Sequence, residues 1–273
     1  MSKGFDFDEK QRRRELADFL RKRRARISPL TVGLPESARK RTPGLRREDV
    51  AELADLSLSW YSWLEQARPI NVSDESLNAI ADALQLNKDE RNHLFHLAKP
   101  NSGSKSSGNG RSNNFDLTEI NRLVNGFAPD YPVTVLGRYM NLLIWNKAAG
   151  ELCDDFRILP KERMNWAWFV FKYQPKKFFD DWEIFARCAL AKVRGDYGKY
   201  LGSDAEGKQL VEELRGENPI FDEWWSDHEV LSVPHPHKKF NHPTFGKLQY
   251  LVSELNLESQ PEARIVVFAP LVG

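Results

Sequence analysis

Residues 42–66 constrain the fold of this chain most, because they predict two short helices joined by a tight turn. The buried stripe predicted for the first helix consists of Val50, Ala51, Leu53 and Ala54. Leu56 is expected to pack inward, and Ser57 is placed as the N-cap of the second helix. Its inner face is predicted from Tyr61 and Leu64, which leaves an outer face of Ser59, Trp60, Ser62, Trp63 and Gln66. Such a helix pair fits a DNA major groove, so Ser57 and the outer-face residues are candidate DNA contacts; the alternative is an ordinary helical hairpin.

Positive charge is concentrated in and just before this helix pair. The whole chain has a formal charge of only +1, yet residues 10–47 hold fourteen Lys or Arg against three acids. A helix is predicted around residues 12–27, with a basic loop after it. Such a patch neutralises DNA phosphates, although a solvated basic helix is the alternative. The candidate phosphate contacts are Arg39, Lys40, Arg41, Arg46 and Arg47.

Two further capped helices, starting at Ser73 and Asn87, complete a predicted five-helix domain of residues 8–99. This domain resembles the Cro/repressor-type (XRE) helix-turn-helix family, and in detail its MmyB-like branch. The matching motifs are Pro43-Gly-Leu-Arg-Arg-Glu48, Val50-Ala51 and Trp60-Tyr-Ser-Trp-Leu-Glu-Gln66. The resemblance implies a lambda-repressor-like fold, with a phosphate contact at Arg47. It also implies that the base edges are read by Ser59, Trp60, Ser62 and Trp63.

A second domain is predicted at residues 115–273, after a Gly/Ser-rich flexible linker at residues 100–114. Two strands, 131–136 and 139–145, are expected on either side of a Gly137-Arg138 turn, followed by a helix from Asn146. An aromatic, mostly helical region comes next. The chain closes with strand candidates at 230–233, 238–241, 247–255 and 264–268. The expected class is α+β, and the opening pattern resembles a PAS-type sensor domain.

The MmyB-like resemblance continues through this second domain. It is carried by Trp145-Asn146, Ala148-Ala149, Asn165, Asp181-Trp-Glu183, Trp225, His228, His242-Pro243, Gly246 and Arg264-Ile-Val-Val267. Two positions depart from the family pattern, Arg163-Met164-Asn165 and Trp168. The resemblance implies a PAS-like domain that binds a small molecule, with fatty acyl compounds as the best-supported class.

An apolar ligand pocket is predicted in the aromatic region. Its walls are expected to be Trp145, Trp166, Phe169, Trp182 and Phe185, because 166 and 169, and likewise 182 and 185, share a helix face. The candidates for binding a carboxylate head group are Arg163 and Arg187. The competing interpretations are that the aromatic residues form an ordinary core and that both arginines pair with surface acids.

Other function classes find little support in the sequence. No nucleophile motif, phosphate loop or zinc-protease motif is present, and an enzyme is not expected. The cluster His235-Pro-His237 with His242 is interpreted as a solvated loop and not a metal site, and no cofactor is expected. The isolated Cys153 and Cys188 are expected to be buried free thiols. Without an apolar leader or an eighteen-residue apolar run, the predicted location is the cytoplasm.

The sequence therefore predicts a transcription regulator that binds double-stranded DNA and senses a small apolar ligand. A homodimer on an inverted repeat is expected, because one helix-turn-helix domain contacts only one half-site. Two alternatives stay open. The second domain could be a dimerisation module without ligand, or it could be an enzyme whose helix-turn-helix domain is an autoregulatory attachment.

Overall fold

The computed structural model describes residues 2–35, 44–99, 117–174, 176–200, 205–228, 236–258 and 260–271. The predicted linker at 100–114 and the basic residues Arg39, Lys40 and Arg41 lie outside these ranges. The chain divides into two units. One, here called the helical unit, comprises residues 1–105, 197–211 and 223–232; the other, the sheet unit, comprises residues 106–196, 212–222 and 233–273.

The helical unit is built on five helices in its described N-terminal part. They are α1 (Ser2–Arg26), α2 (Arg47–Leu53), α3 (Leu58–Glu65), α4 (Asp74–Ala83) and α5 (Lys88–Ala98). The predicted caps are confirmed: Ser73 Oγ accepts the Ser76 N–H at 3.1 Å, and Asn87 Oδ1 accepts the Glu90 N–H at 3.0 Å. The core consists of fully buried side chains from all five helices, including Phe19, Leu20, Val50, Tyr61, Leu77, Ile80 and Leu94.

Two later stretches of the chain also belong to the helical unit. They lie in α9 (Trp182–Tyr200), α10 (Ala205–Glu217) and α11 (Pro219–Ser226), each of which has residues in both units. Within the helical unit, Gln11 donates to the Tyr197 hydroxyl at 3.2 Å, and the Tyr197 ring meets the Trp225 ring edge-on at 5.2 Å. These contacts join Tyr197 and Trp225 to α1 and to each other within the helical unit.

The sheet unit contains a five-stranded antiparallel sheet. Its strands are β1 (Val133–Leu136), β2 (Leu142–Trp145), β3 (His237–His242), β4 (Gly246–Leu257) and β5 (Gln260–Pro270), in the order β2-β1-β5-β4-β3. Helix α6 (Leu117–Asn125) covers one face, where Ile120 and Val124 pack on Val133, Val135 and Ile265. The predicted second-domain class, helices with a sheet, is therefore found. The strand candidate at 230–233 lies outside the described residues.

Helix α7 (Lys147–Cys153) follows β2, and a π-helical turn at Phe169–Tyr173 follows α8 (Trp166–Trp168). Trp166 of α8 and Phe185 of α9 contact the other sheet face, with ring centroids 6.4 Å from Phe268 and 5.0 Å from Phe240. The aromatic residues of this face include Phe240 and Phe268, whose ring centroids are 6.1 Å apart. Cys153 is buried and Cys188 is partly buried; both are free thiols, so the expected complete burial is wrong for Cys188. None of the described helices is both long and apolar enough to cross a membrane.

The turn between β1 and β2 differs from the prediction. Tyr139 and Met140 were expected to begin the second strand, but they have φ values of 53° and 67°. Left-handed backbone is unfavourable for residues with a side chain, so neighbouring groups must hold it. The Asn165 amide donates to the Tyr139 carbonyl at 2.8 Å, and Asp196 accepts the Tyr139 N–H at 2.8 Å. Strand β2 consequently starts at Leu142.

Candidate functional site

Helices α2 and α3 form the helix-turn-helix pair that the sequence predicts. The Arg46 N–H donates to the Asp49 carboxylate at 2.6 Å, which fixes the start of α2. The turn passes through Asp55 with φ 52°, a left-handed conformation that Asp tolerates better than most residues. Ser57 Oγ then accepts the Trp60 N–H at 3.2 Å, so Ser57 caps α3 as predicted.

The faces of α3 are those expected from the residue spacing. Tyr61 and Leu64 are buried, whereas Ser59, Trp63 and Gln66 are exposed and Trp60 and Ser62 are half-buried. Leu53 was predicted in the buried stripe of α2, but it is 39% exposed. Val50, Ala51 and Ala54 already supply the apolar contact of that short helix, and Leu53 points to another side.

Glu65, the last residue of α3, joins three helices and was not predicted as a site residue. Its fully buried carboxylate accepts the Arg24 Nε–H at Oε1 (2.6 Å) and the Arg24 Nη2–H at Oε2 (3.0 Å). The Arg47 Nε–H also donates to Oε2 at 2.6 Å. Arg24 reaches back to the Leu45 carbonyl at 2.7 Å. The start of α2 and the end of α3 are thus fixed to α1 by one carboxylate.

The electrostatics of this ion cluster favour the charged state of Glu65. Burial by itself raises the pKa of a carboxyl group, but the hydrogen bonds from Arg24 and Arg47 outweigh burial and hold the Glu65 pKa below its usual value. Burial raises the pKa of the neighbouring Tyr61, and the negative charge of Glu65 adds to that effect. Tyr61 is therefore a neutral phenol beside a charged carboxylate.

Several α1 arginines bind protein groups, which corrects the interpretation that the whole basic segment neutralises phosphate. The buried Arg12 donates to the carbonyls of Leu97 and Ala98, where α5 ends. Arg23 is 6% exposed and pairs with Glu90 at 3.0 Å. An arginine that can pair with a carboxylate or a carbonyl inside the unit stabilises the fold instead of contacting DNA. At the start of α2, Arg46 is exposed and Arg47 is partly exposed.

Arg68 extends the outward surface of α3 and was not predicted. Its guanidinium carbon lies 5.8 Å from the centroid of the Trp63 ring, within the range of a cation–π contact. The Arg68 N–H also donates to the Trp63 carbonyl at 3.0 Å. A basic residue three positions after the end of α3 is the sequence signal that would have identified it.

In the sheet unit, four of the five predicted wall residues belong to one continuous chain of aromatic contacts. Trp145 meets Phe156 at 5.1 Å, Phe156 meets Phe169 at 5.2 Å, and Trp166 stacks on Phe169 at 5.1 Å. The chain continues through Phe179, which lies 6.4 Å from Phe169 and 4.6 Å from Phe185. Phe169 and Phe185 are buried to 0% and 4% exposure.

Trp182 contacts the π-helical turn through Phe171 and Val170. Its ring meets Phe171 edge-on at 6.0 Å, and its Nε1–H donates to the Val170 carbonyl at 2.9 Å. The Lys176 ammonium nitrogen sits 3.9 Å from its ring centroid.

Both head-group candidates pair with carboxylates. Arg163 bonds Glu217 through Nη1 at 3.0 Å and Nη2 at 2.5 Å, and its guanidinium carbon lies 4.1 Å from the Trp168 ring centroid. Hydrogen bonds from Arg163 and then Lys172 lower the pKa of Glu217 to about 2. Arg187 pairs with Glu183 one helical turn away, at 2.6 Å.

A groove of about 510 Å³ runs between α6 and the edge strand β2. It is lined by Leu117, Thr118, Asn121, Leu143, Ile144 and Trp145. Trp145 thus belongs both to this groove and, through Phe156, to the aromatic chain. The next residue, Asn146, fixes the position of Trp145. Its buried side-chain oxygen accepts hydrogen bonds from the N–H groups of Val133 and Ala149 at 3.0 Å each.

Two family models match the chain. Residues 118–273, more than half of it, match the MmyB-like transcription regulator ligand binding domain. Residues 15–94 match a helix-turn-helix domain. No curated protein matches the chain at a significant level.

Proposed function

The chain belongs to the MmyB-like transcription regulators, and from that premise we propose that it reads a specific DNA sequence through α3 and binds a fatty acid or related acyl compound in its sheet unit. In this proposal the helical N-terminal domain is lambda-repressor-like and the second domain is PAS-like. The domain limits 8–99 and 115–273 are part of the same proposal.

The outward face of α3 supports the proposal that the chain binds DNA. Ser59, Trp63 and Gln66 are exposed on a helix whose other face is anchored by buried Tyr61 and Leu64. The ion cluster around Glu65 holds that face rigid, and rigid placement is what base readout in the major groove requires. Arg46 and Arg47, at the start of α2, are then placed to hold phosphate.

Selection from a pool of random duplexes by the full chain tests sequence-specific binding. The Trp63→Ala variant should lower the preference for the selected duplex over random DNA by about 1–3 kcal/mol, the cost of one lost base contact. Phe245→Ala removes another exposed aromatic ring, 56% exposed and in the sheet unit, and should leave this preference unchanged. A selection that enriches no sequence contradicts the proposal.

The ligand part of the proposal is supported by the aromatic chain from Trp145 to Phe185 and by the π-helical turn beside it. Helical turns of this kind recur at functional sites. An acyl ligand needs an apolar path with few polar groups at its mouth. We assign Trp145, Trp166, Phe169 and Phe185 to the path, with Trp182 at its side. Arg163 or Arg187 would exchange its present carboxylate partner for the ligand head group.

Thermal unfolding of the full chain with and without dodecanoic acid separates a sensor from a dimerisation module. A ligand that binds only the folded state raises the unfolding temperature with the logarithm of its concentration once that exceeds the dissociation constant, whereas a module without a ligand site shows no shift. Mass spectrometry of molecules that co-purify with the chain provides an independent test of the ligand class.

We further propose a homodimer on an inverted repeat, because one helix-turn-helix unit contacts a single half-site. Half-sites about one helical turn apart, or a multiple of that, are expected. Light scattering with and without the selected duplex should give the mass of two chains. A monomer mass in both conditions contradicts this assembly.

A further inference from the structure

The helical unit contains a partly buried polar contact between Asp18 on α1, whose side chain is 39% exposed, and His228, two residues after the end of α11. The His228 Nε2 atom lies 2.8 Å from Asp18 Oδ2, and Glu15 Oε2 is 4.0 Å away. Since a carboxylate only accepts hydrogen bonds, Nε2 is the donor. His228 is 3% exposed, so this contact is closed to solvent on the imidazole side.

The backbone of His228 is held by the same helix. The Arg23 Nη2–H donates to the His228 carbonyl at 2.5 Å, while Arg23 Nη1 pairs with Glu90 of α5 at 3.0 Å. Phe19 meets the imidazole edge-on at 6.1 Å. One residue earlier, the Asp227 carbonyl accepts from Arg26 at 3.0 Å. Four α1 residues therefore hold two consecutive residues of the turn.

The conformation of His228 shows that these contacts select one arrangement. Its φ is 49°, in the left-handed region that side chains disfavour, so the surrounding bonds must offset the strain. The hydrogen bond from His228 is also the main reason that the pKa of Asp18 lies well below its usual value. The backbone of His228 is thus strained, whereas its side chain has a hydrogen-bond partner.

By sequence the two partners belong to different matched domains. Asp18 lies in the helix-turn-helix match at 15–94, and His228 lies in the ligand-binding match at 118–273. In addition, α1 carries Arg24, whose guanidinium binds Glu65 at the end of α3. A displacement of the 227–228 turn would therefore act on the helix that anchors the candidate DNA-reading helix.

We propose that Asp18 and His228 form a latch through which ligand binding changes DNA affinity. The inference rests on the proposed function. Coupling between two sites requires an element whose arrangement both sites bias, and a strained turn held by exchangeable polar bonds is such an element. Releasing or tightening the latch changes how firmly α1 is held.

The test measures the DNA dissociation constant of the full chain with and without dodecanoic acid, on a duplex obtained by selection. Asp18→Asn, His228→Gln and His228→Phe are compared with Asp82→Asn. Asp82 pairs with Arg91 on the exposed surface of α4 and α5, and its substitution is chemically the same as Asp18→Asn. Affinity for dodecanoic acid is measured separately through tryptophan emission.

The unaltered chain should show a change in DNA affinity of about fivefold or more on adding dodecanoic acid, a common size for allosteric coupling. Asp18→Asn and His228→Phe should bring this ratio close to one while the acid binds as before, and Asp82→Asn should keep it. The latch is overturned if all variants show the same ratio of DNA dissociation constants with and without the acid. It is also overturned if this ratio is one in an unaltered chain that binds both DNA and the acid.

Hydrogen exchange gives a readout that does not depend on the ligand class. Amides of residues 220–228 should exchange about tenfold faster in Asp18→Asn than in Asp82→Asn, because the turn opens more often when its polar bond is weakened. Unchanged exchange overturns the latch. Failure of the chain to bind dodecanoic acid, with faster exchange still present, contradicts the proposed ligand and not the contact.

Discussion

Arg24 and Glu65 form a two-point ion pair between α1 and the end of α3, with Nε–Oε1 at 2.6 Å and Nη2–Oε2 at 3.0 Å. The carboxylate is fully buried, and the Arg24 side chain is 13% exposed. Bidentate guanidinium–carboxylate geometry fixes orientation as well as distance. The orientation of α3 relative to α1 therefore depends on this ion pair.

Replacing Glu65 with Gln should lower the free energy of unfolding by about 3 kcal/mol, because Arg24 and Arg47 then lose a buried carboxylate partner. Urea unfolding of the full chain measures the loss. The control is Asp82→Asn, which breaks an ion pair whose Asp82 side chain is 71% exposed, and it should cost less than about 1 kcal/mol. Equal losses in the two variants would show that the cluster contributes no more than a surface pair.

Stability should fall in acid through Glu65 and Asp18. Both folded-state pKa values lie below the ordinary ones, of about 4.3 for Glu and 3.9 for Asp. A depressed folded pKa contributes stability that is present above the unfolded pKa and is lost as pH falls through the folded pKa. The free energy of unfolding should thus drop below about pH 4, and less steeply in Glu65→Gln. Identical pH profiles would contradict the assigned shift of Glu65.

The two arginines at the start of α2 should differ when each is replaced with Ala. Arg46→Ala should weaken binding to all duplexes alike and flatten the slope of log affinity against log salt by about one, as expected for one phosphate contact. Arg47→Ala should do the same and also lower the free energy of unfolding, because Arg47 donates to Glu65. A loss of sequence preference in Arg46→Ala would instead indicate a base contact.

The helix pair could be predicted from the sequence because its determinants are local. Ser57 caps α3 by accepting a hydrogen bond from the N–H of Trp60, three residues later. The spacing of Tyr61 and Leu64 alone fixes the inner face of the helix. The Arg24–Glu65 pair spans 41 residues and the Asp18–His228 contact spans 210. No local pattern encodes such pairs, so Arg24 was interpreted only as part of the basic segment before the helix pair.

The candidate ligand site was predictable in composition but not in arrangement. Trp166 and Phe169 are three residues apart on one helical stretch, and this spacing predicts the contact that their rings make. Trp182 is the first residue of α9 and its ring meets Phe171, whereas the Phe185 ring meets Phe179. The left-handed Tyr139 also escaped prediction, since the distant Asp196 and Asn165 hold it.

Ligand sensing is the central claim, and a titration of the full chain with saturated fatty acids of eight to sixteen carbons tests it most directly. Tryptophan emission follows binding, and each buried methylene should contribute about 0.8 kcal/mol until the apolar path is filled. Phe169→Arg should abolish binding by placing an unpaired charge among the aromatic rings, whereas Phe169→Leu should retain most of it. We predict affinity that rises with chain length and is lost in Phe169→Arg; equal affinity at all lengths, or intact binding in that variant, would contradict the account.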